Sequence, residues 1–417
     1  MQLDRRELLA AGGMLAAVPL AGMSRSVPAK PGASALPPPI QPAERLARLT
    51  KARSLMAQHG IGAILIEPGA SLEYFTGVRW SRSERLTAAV IPVDGEPIIV
   101  TPFFEKPSVA ESLGISAEIR TWDEHEEPLT LVAAFLREGK LATAPVGMEE
   151  TNRFFISDRL AAALPGVSVR NANPIVRGCR MFKSTAELAL MQAASDVTLE
   201  TIRGVRGRIR EGMTPADISA MLTAGMVARG GSSPWALVLL GEAAAYPHGT
   251  GKPQTVKRGE VVLIDTGCSV RGYQSDISRT FVFGAATAEQ RKVWSQMRRG
   301  QDIAMAAAKV GVPAGRVDDA VRAAYTSWGY GPDYRLPGLS HRTGHGIGME
   351  GHEPINLVRG EVTPLAPGMC FSNEPGIYLP GKFGIRLEDC FHMTASGPKW
   401  FSVPPDSIDD PIGRSGA

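Results

Sequence analysis

Cysteine is scarce in this chain, and the four that occur, Cys179, Cys268, Cys370 and Cys390, are far apart. No disulfide framework is legible from such spacing, and a structural zinc site would show its cysteines or histidines in close pairs. Buried free thiols are the expectation, because Cys268, Cys370 and Cys390 fall in or beside expected strands; an oxidising compartment would still permit one bridge. A basic excess is missing too: the formal charge is +3 over 417 residues, which gives no field suited to nucleic acid. There is no glycine-rich loop to cradle a phosphate. Nor does any apolar run make a convincing membrane span of about 20 residues. Hydrophobic residues at 44% and charged residues at 21% describe an ordinary globular chain with room for two or three domains.

The N-terminus has its own character. Arg5-Arg6 precede Leu8-Leu9-Ala10-Ala11 and a small-residue apolar stretch to about Gly22, interrupted by Gly12, Gly13 and Pro19. Residues 1–35 resemble a twin-arginine export signal, with cleavage expected at Ala33-Ser34-Ala35 or Val27-Pro28-Ala29. The expected location is therefore the periplasm; the alternative is an untranslocated tail. That route carries folded proteins, so a metal could be loaded before crossing. Pro37-Pro38-Pro39 and Pro42 make residues 36–44 a stiff spacer.

Residues 45–175 mix short apolar strands with helical stretches. Ala63–Ile66, Ala88–Ile91 and Pro97–Val100 have the composition of strands, and Leu131 to Leu136 that of a helix start. A small α/β domain follows from this alternation, without a catalytic set of its own. From 176 to 417 the punctuation sharpens. Ser184 and Glu187 have capping-box spacing, Thr214-Pro215 can cap and open a second helix, and Thr287 with Gln290 marks a third. Between and after these helices come hairpins, which predicts an α+β domain with a curved antiparallel sheet.

The chemistry lies in those hairpins. Asp265 ends the apolar run Val261–Ile264, and Asp276 follows after Gly267 and Gly272 allow the chain to reverse, so two strands can aim both carboxylates at one point. Glu374 and Glu388 repeat the arrangement: Gly259 and Gly368 stand six residues before Asp265 and Glu374, and Gly267 and Gly376 two residues after them. Two related halves would bring the four acids together, a concentration of charge that only cations make tolerable. With His345, the set Asp265, Asp276, His345, Glu374 and Glu388 suits two divalent ions. Carboxylates with one imidazole favour harder metals; manganese is the first expectation, with cobalt or zinc as alternatives.

These residues resemble a known superfamily: creatinase, prolidase, Xaa-Pro aminopeptidase and methionine aminopeptidase, whose catalytic domain has the pita-bread fold. The match runs through Pro247-His248-Gly249, Ile264-Asp265-Thr266-Gly267, Ser275–Thr280, Thr343–Gly348, Asn373-Glu374-Pro375-Gly376 and Ile385–Glu388. Tyr74-Phe75-Thr76-Gly77 more weakly resembles the creatinase N-terminal domain. His341 and His352, flanking His345, are similar to the proline-peptidase branch. The resemblance implies an α+β pita-bread catalytic domain with pseudo-twofold halves over 176–417, preceded by a creatinase-like domain over 45–175. It implies hydrolysis of the bond before proline by a metal-bridging hydroxide, as an Xaa-Pro aminopeptidase or prolidase-like dipeptidase, on peptides with proline second. Asp276 would bind one metal through both oxygens, Asp265 and Glu388 would bridge, and His345 and Glu374 would complete the other shell, with Glu374 also the general base. His248 and His352 would contact substrate, His341 would orient its proline side, and Tyr378 and Arg386 would hold the bridging acids. The alternatives are a creatinase-like or lyase enzyme acting on a small zwitterion, or a non-catalytic peptide-binding relative. The resemblance also implies a homodimer, in which Trp80 could reach a neighbour's site if it is not an ordinary packing aromatic. Trp235 and the Gly230-Gly231 loop could shape the pocket.

Overall fold

The structure, a computed structural model, describes residues 36–417. The twin-arginine segment and both expected cleavage points fall in residues 1–35, outside the described residues. The stretch expected to be a spacer is not free. Leu36 and Ile40 pack on the core, and Pro37 O accepts a hydrogen bond of 2.8 Å from Arg271 Nε. Helix α1 (Pro42–His59) starts inside it, because proline opens a helix at a position whose N–H has no intrahelical partner.

The first half continues as β1 (Ala63–Ile66), α2 (Ala70–Thr76), β2 (Ala88–Pro92), β3 (Ile98–Pro102), α3 (Lys106–Ser112), β4 (Glu118–Trp122), α4 (Leu129–Glu138), β5 (Val146–Met148), α5 (Phe154–Ala163), β6 (Val169–Asn171) and α6 (Asn173–Arg180). Its six strands form one mixed sheet in the order β4-β3-β2-β1-β5-β6. Strands β1 to β3 are buried at every position, as a sheet covered on both faces requires. Alternate residues serve different cores. Ala63, Leu65, Val90 and Val100 join α4 and α5, whereas Ile64, Ile66, Ile91 and Ile99 join α1 and the second half. Helix α6 packs on α1 through the same core, so it straddles the boundary expected at 176 and the chain changes halves just after Arg180.

The second half opens with α7 (Thr185–Arg206) and α8 (Pro215–Val227), then β7 (Ser232–Leu240), β8 (Val261–Val270), β9 (Tyr273–Gln274), β10 (Ile277–Val282), α9 (Ala288–Ala307) and α10 (Gly315–Ser327). Helices α7, α8 and α9 begin in capping boxes at Ser184/Glu187, Thr214/Asp217 and Thr287/Gln290. The strands that follow are β11 (Gly344–Gly346), β12 (Glu353–Leu357), β13 (Cys370–Asn373), β14 (Ile377–Leu379), β15 (Phe383–Ile385), β16 (Asp389–Thr394) and β17 (Gly397–Trp400). One sheet runs β10-β8-β7, with β9 on β8; a second runs β12-β11-β13-β16-β17, and β14 and β15 pair in a separate two-stranded sheet. The first two meet where Ser278 and Glu388 exchange backbone hydrogen bonds of 3.2 and 3.0 Å. Behind that junction Arg279 and Asp389 form a fully buried ion pair at 2.6 Å. The four cysteines are free and buried. Among the described residues no helix is long and apolar enough to cross a membrane.

Two polar clusters lock the halves together. Arg48 of α1 donates to Tyr273 Oη at 3.0 Å, and Tyr273 Oη donates to Glu187 at 2.8 Å. Arg180 and Lys183 bind the buried Glu353 at 2.6 and 2.8 Å. Burial would raise the Glu353 carboxyl, but the Lys183 and Arg180 charges outweigh it and hold the group at about 2. A folded-state value below the unfolded one gives stability that is present above the ordinary value of 4.5 and lost as pH falls through about 2. Glu353→Gln should therefore cost roughly 3–5 kcal/mol near neutral pH and flatten the stability loss across that acid window. Urea titrations over a pH series check both.

Candidate metal centre

Strand register carries the five expected ligands to one place. Asp265 lies within β8, opposite Ser278 of β10 and Leu237 of β7. Asp276 immediately precedes β10, His345 is central in β11, Glu374 immediately follows β13, and Glu388 immediately precedes β16. All five line a cavity of about 910 Å³. His345 Nε2 stands 3.3 Å from Glu374 Oε1, 3.7 Å from Glu388 Oε1 and 3.8 Å from Asp276 Oδ2. Ligand atoms of His345, Glu374 and Glu388 lie within 4.8 Å of one another, and so do those of Asp265, Asp276 and Glu388, and of Asp276, His345 and His352.

This geometry alters one expectation. Asp276 and Glu388 each reach both the aspartate side and the His345 side, whereas Asp265 clusters only with the other two acids. Asp265 is held back by Arg386 Nη2 at 2.6 Å and Ser278 Oγ at 2.9 Å. The central, shareable carboxylates are thus Asp276 and Glu388, not Asp265 and Glu388. Sequence spacing had no access to this, because Arg386 comes from a remote hairpin.

The residues fit divalent metal. Asp276 Oδ1 and Glu388 Oε1 are buried and have no hydrogen-bond partner, a costly state for an anionic oxygen. Burial first, then neighbouring carboxylates, push Asp276 and Glu388 well above the ordinary carboxylate range. Glu374 goes the other way. Burial would raise it, but the hydrogen bond and charge of His345, then His341 and Arg386, hold it at about 2. His345 Nδ1 faces Gly346 O at 3.0 Å, so the neutral ring keeps its proton there and presents an Nε2 lone pair suited to a metal ion, whereas the doubly protonated ring donates through Nε2 to Glu374 and supplies the charge that lowers it.

The supporting residues are bound in one network. Arg386 donates through Nε to Ser278 Oγ, through Nη1 to Pro247 O and Tyr378 Oη, and through Nη2 to Asp265. Tyr378, fully buried, lies 2.8 Å from His341 Nε2, while His341 Nδ1 faces Arg342 O at 2.8 Å. The donor chain is then Arg386 to Tyr378 to His341 to a carbonyl. Both ring nitrogens of His341 are spent on protein, leaving its carbon edge to the cavity. Burial lowers His341 to about 4, and partial burial of His352, which keeps an exposed face, together with the charges of His345 and Arg342 lowers that imidazole as well. His352 stacks edge-on to His345 with centroids 4.1 Å apart, and His248 and Trp235 line the same cavity. Trp80 is half-buried against the core of the first half.

Some contributors were not foreseen. Helix α10 carries a buried ion pair, Asp318 and Arg322, that grips the histidine segment: Asp318 accepts from Thr343, and Arg322 donates to Leu339 O and His341 O. Its start has no side-chain cap, so no local signal announced it. Ser278 was passed over, although strand alternation from Asp276 would have put it on the same face. Trp235 lines the cavity as expected, but the strand β7 that carries it and Leu237 was not foreseen, because it follows Gly230-Gly231 and includes Ser232-Ser233-Pro234 and so reads as a loop.

Residues 189–395 match the model of metallopeptidase family M24, and residues 48–182 that of the creatinase/prolidase N-terminal domain. The chain is 34% identical over 361 residues to the probable dipeptidase PepE of Mycobacterium tuberculosis, covering 84% of this chain and 92% of that one. It is 32% identical over 337 residues to an Xaa-Pro dipeptidase of Lactobacillus helveticus, covering 80% and 90%. Among solved structures, dipeptidase PepE from Mycobacterium ulcerans gives a TM-score of 0.81 at 32% identity, over 89% of this chain and 98% of that one. A prolidase from Thermococcus sibiricus gives 0.78 at 25% identity, over 85% and 96%.

Because Asp276 and Glu388 have folded-state values above their unfolded ones, their contribution to stability is full below the ordinary 3.8 and 4.5 and is lost as pH rises through the folded values. Metal-free wild type should therefore lose more stability than metal-free Asp276→Asn between about pH 5 and about pH 8, by on the order of 1 kcal/mol. Manganese should raise the Tm of wild type and do so far less for the variant. Equal metal-dependent shifts in thermal unfolding would remove Asp276 from the ligand set.

Proposed function

Because the chain belongs to metallopeptidase family M24, with a creatinase/prolidase N-terminal domain and the pita-bread fold, we propose that it hydrolyses the peptide bond preceding proline with a pair of divalent ions, manganese first among them. The observation that carries this reading is the buried cluster of Asp276, Glu374 and Glu388 around His345 Nε2, with Asp265 against Asp276 and Glu388 and two carboxylate oxygens lacking any partner. Asp265, Asp276, His345, Glu374 and Glu388 would hold the ions, with Asp276 and Glu388 shared. Such ions, when bound, supply positive charge that acidifies a water molecule and polarises the scissile carbonyl.

The chain's own groups do the rest. Glu374, ionised at neutral pH, can take the proton of the attacking water on a carboxylate oxygen and pass it to the departing nitrogen. That nitrogen belongs to a tertiary amide without N–H, so it leaves only after receiving a proton. His352 and His248 can donate imidazole N–H groups to the carbonyl oxygen as it gains charge. The carbon edge of His341 and the side chain of Trp235 offer apolar walls for a proline ring. Arg386, Tyr378 and Ser278 keep the acids in place while the proton moves. A metal-free route on a small zwitterion is disfavoured, because it would leave this negative cluster without neutralisation.

Protein loaded with manganese, cobalt or zinc should cleave Xaa-Pro bonds in a peptide library read by mass spectrometry, and inactivity with all three would remove the reading. Glu374→Gln should lower kcat by roughly 10²–10⁴-fold with an unchanged circular dichroism spectrum. We also infer export by the twin-arginine route, supported by the residues at Arg5-Arg6. Replacing both with lysine should hold the protein in the cytoplasm; unaltered fractionation would argue for a plain N-terminal tail.

A further inference from the structure

A second cavity, of about 250 Å³, lies at the seam between the halves, and none of the five metal-site residues lines it. Its wall carries four guanidiniums, Arg45, Arg48, Arg79 and Arg271, against two carboxylates, Glu73 and Glu111. Arg48, the buried one, is already paired with Glu44 and Glu187 at 2.9 and 3.3 Å. The other three form no ion pair among the described residues. Arg45 donates to the carbonyls of Glu73 and Tyr74, and Arg271 to that of Pro37. The Arg79 side chain has no hydrogen-bond partner among the described residues. Cations gathered on a cavity without matching anions mark where a ligand brings the charge.

Arg45 is held most firmly. It fills a notch left by two glycines that follow α2 and α3: a Cβ on Gly114 would stand 3.0 Å from Arg45 Nε, and one on Gly77 3.3 Å from it. Burial first, then the charge of Arg48, push this guanidinium below its ordinary value, and Glu73 does not restore it. Arg180 and Arg386, each touching a carboxylate, are raised instead. Helix α1 opens on the same cavity through Pro42 and has no side-chain cap, so its first turn adds positive potential.

The three cations come from three elements: Arg45 from α1, Arg79 from the segment after α2, and Arg271 from the turn between β8 and β9. A carboxylate has two oxygens in one plane and suits a single guanidinium fork. A phosphate presents oxygens in four directions and serves three forks at once. We propose that this cavity binds a phosphate dianion, as inorganic phosphate or as the phosphoryl group of a small monoester, and that the anion ties the first half to the second through Arg271. The assignment is independent of the hydrolytic reading.

The test is calorimetric titration of inorganic phosphate, glycerol 3-phosphate and succinate into the full chain, with and without manganese, against chloride at equal ionic strength. One phosphate should bind per chain with the same Kd in both metal states, and the Tm should rise and saturate with it. Tighter binding of glycerol 3-phosphate would assign the monoester, and weaker binding the free ion. Arg79→Gln and Arg271→Gln should each raise Kd roughly tenfold or more, whereas Arg258→Gln, exposed and outside the cavity, should leave it unchanged. Arg45→Gln should abolish binding; if circular dichroism shows that variant misfolded, the Arg79 and Arg271 variants decide. Succinate binding more tightly than phosphate would overturn the phosphate assignment and leave a dicarboxylate site. Phosphate bound only when manganese is present would belong to the metal centre and overturn the proposal, as would no binding or a Kd indifferent to residues 79 and 271.

Discussion

Four carboxylates converge in one cavity, their side chains mostly buried, and that accumulation of like charge sets the terms for the surrounding structure. Arg386 is the permanent cation placed against it, and one guanidinium cannot neutralise Asp265, Asp276, Glu374 and Glu388. Isolated ions transferred to such a site would cost several kcal/mol each. The fold therefore has to hold repelling groups together while the centre is empty of cations, which explains why the heaviest bracing lies directly behind it. The Ser278–Glu388 backbone exchange joins the two sheets at the site, and the Arg279–Asp389 pair lies one residue beyond each.

The bracing comes from helices that never touch the cavity's contents. Gln301 of α9 donates to Asn373 O and Asp389, fixing the end of β13 from which Glu374 projects. Asp318 and Arg322 of α10 do the same for the turn bearing His341 and Arg342. Both devices use buried side chains to satisfy backbone groups that no neighbouring strand can reach. Ligand geometry is thus set by elements whose own sequences carry no chemical motif.

The three capping boxes were readable because each is complete within four residues, and Ser184, Thr214 and Thr287 need nothing distant to form them. The acid set was readable because glycine spacing and apolar runs disclosed two similar hairpins. Less accessible were facts created by pairing across the chain. The roles of Asp265 and Asp276 depend on Arg386, and α10 is fixed by tertiary contacts of Asp318 rather than by a cap. The Pro-rich segment read as a free spacer because its docking depends on Arg271, which lies more than two hundred residues away in the sequence.

Glu353 directly follows His352, and its carboxylate is anchored by Arg180 and Lys183 at the seam between the two halves. The His352 imidazole in the cavity wall thus adjoins a residue held partly by Arg180 of the creatinase-like half, in which none of the five proposed metal ligands lies. The seam between the halves and the wall of the cavity are thus one residue apart along the chain, and a change at Arg180 reaches the ring at position 352 through a single peptide bond.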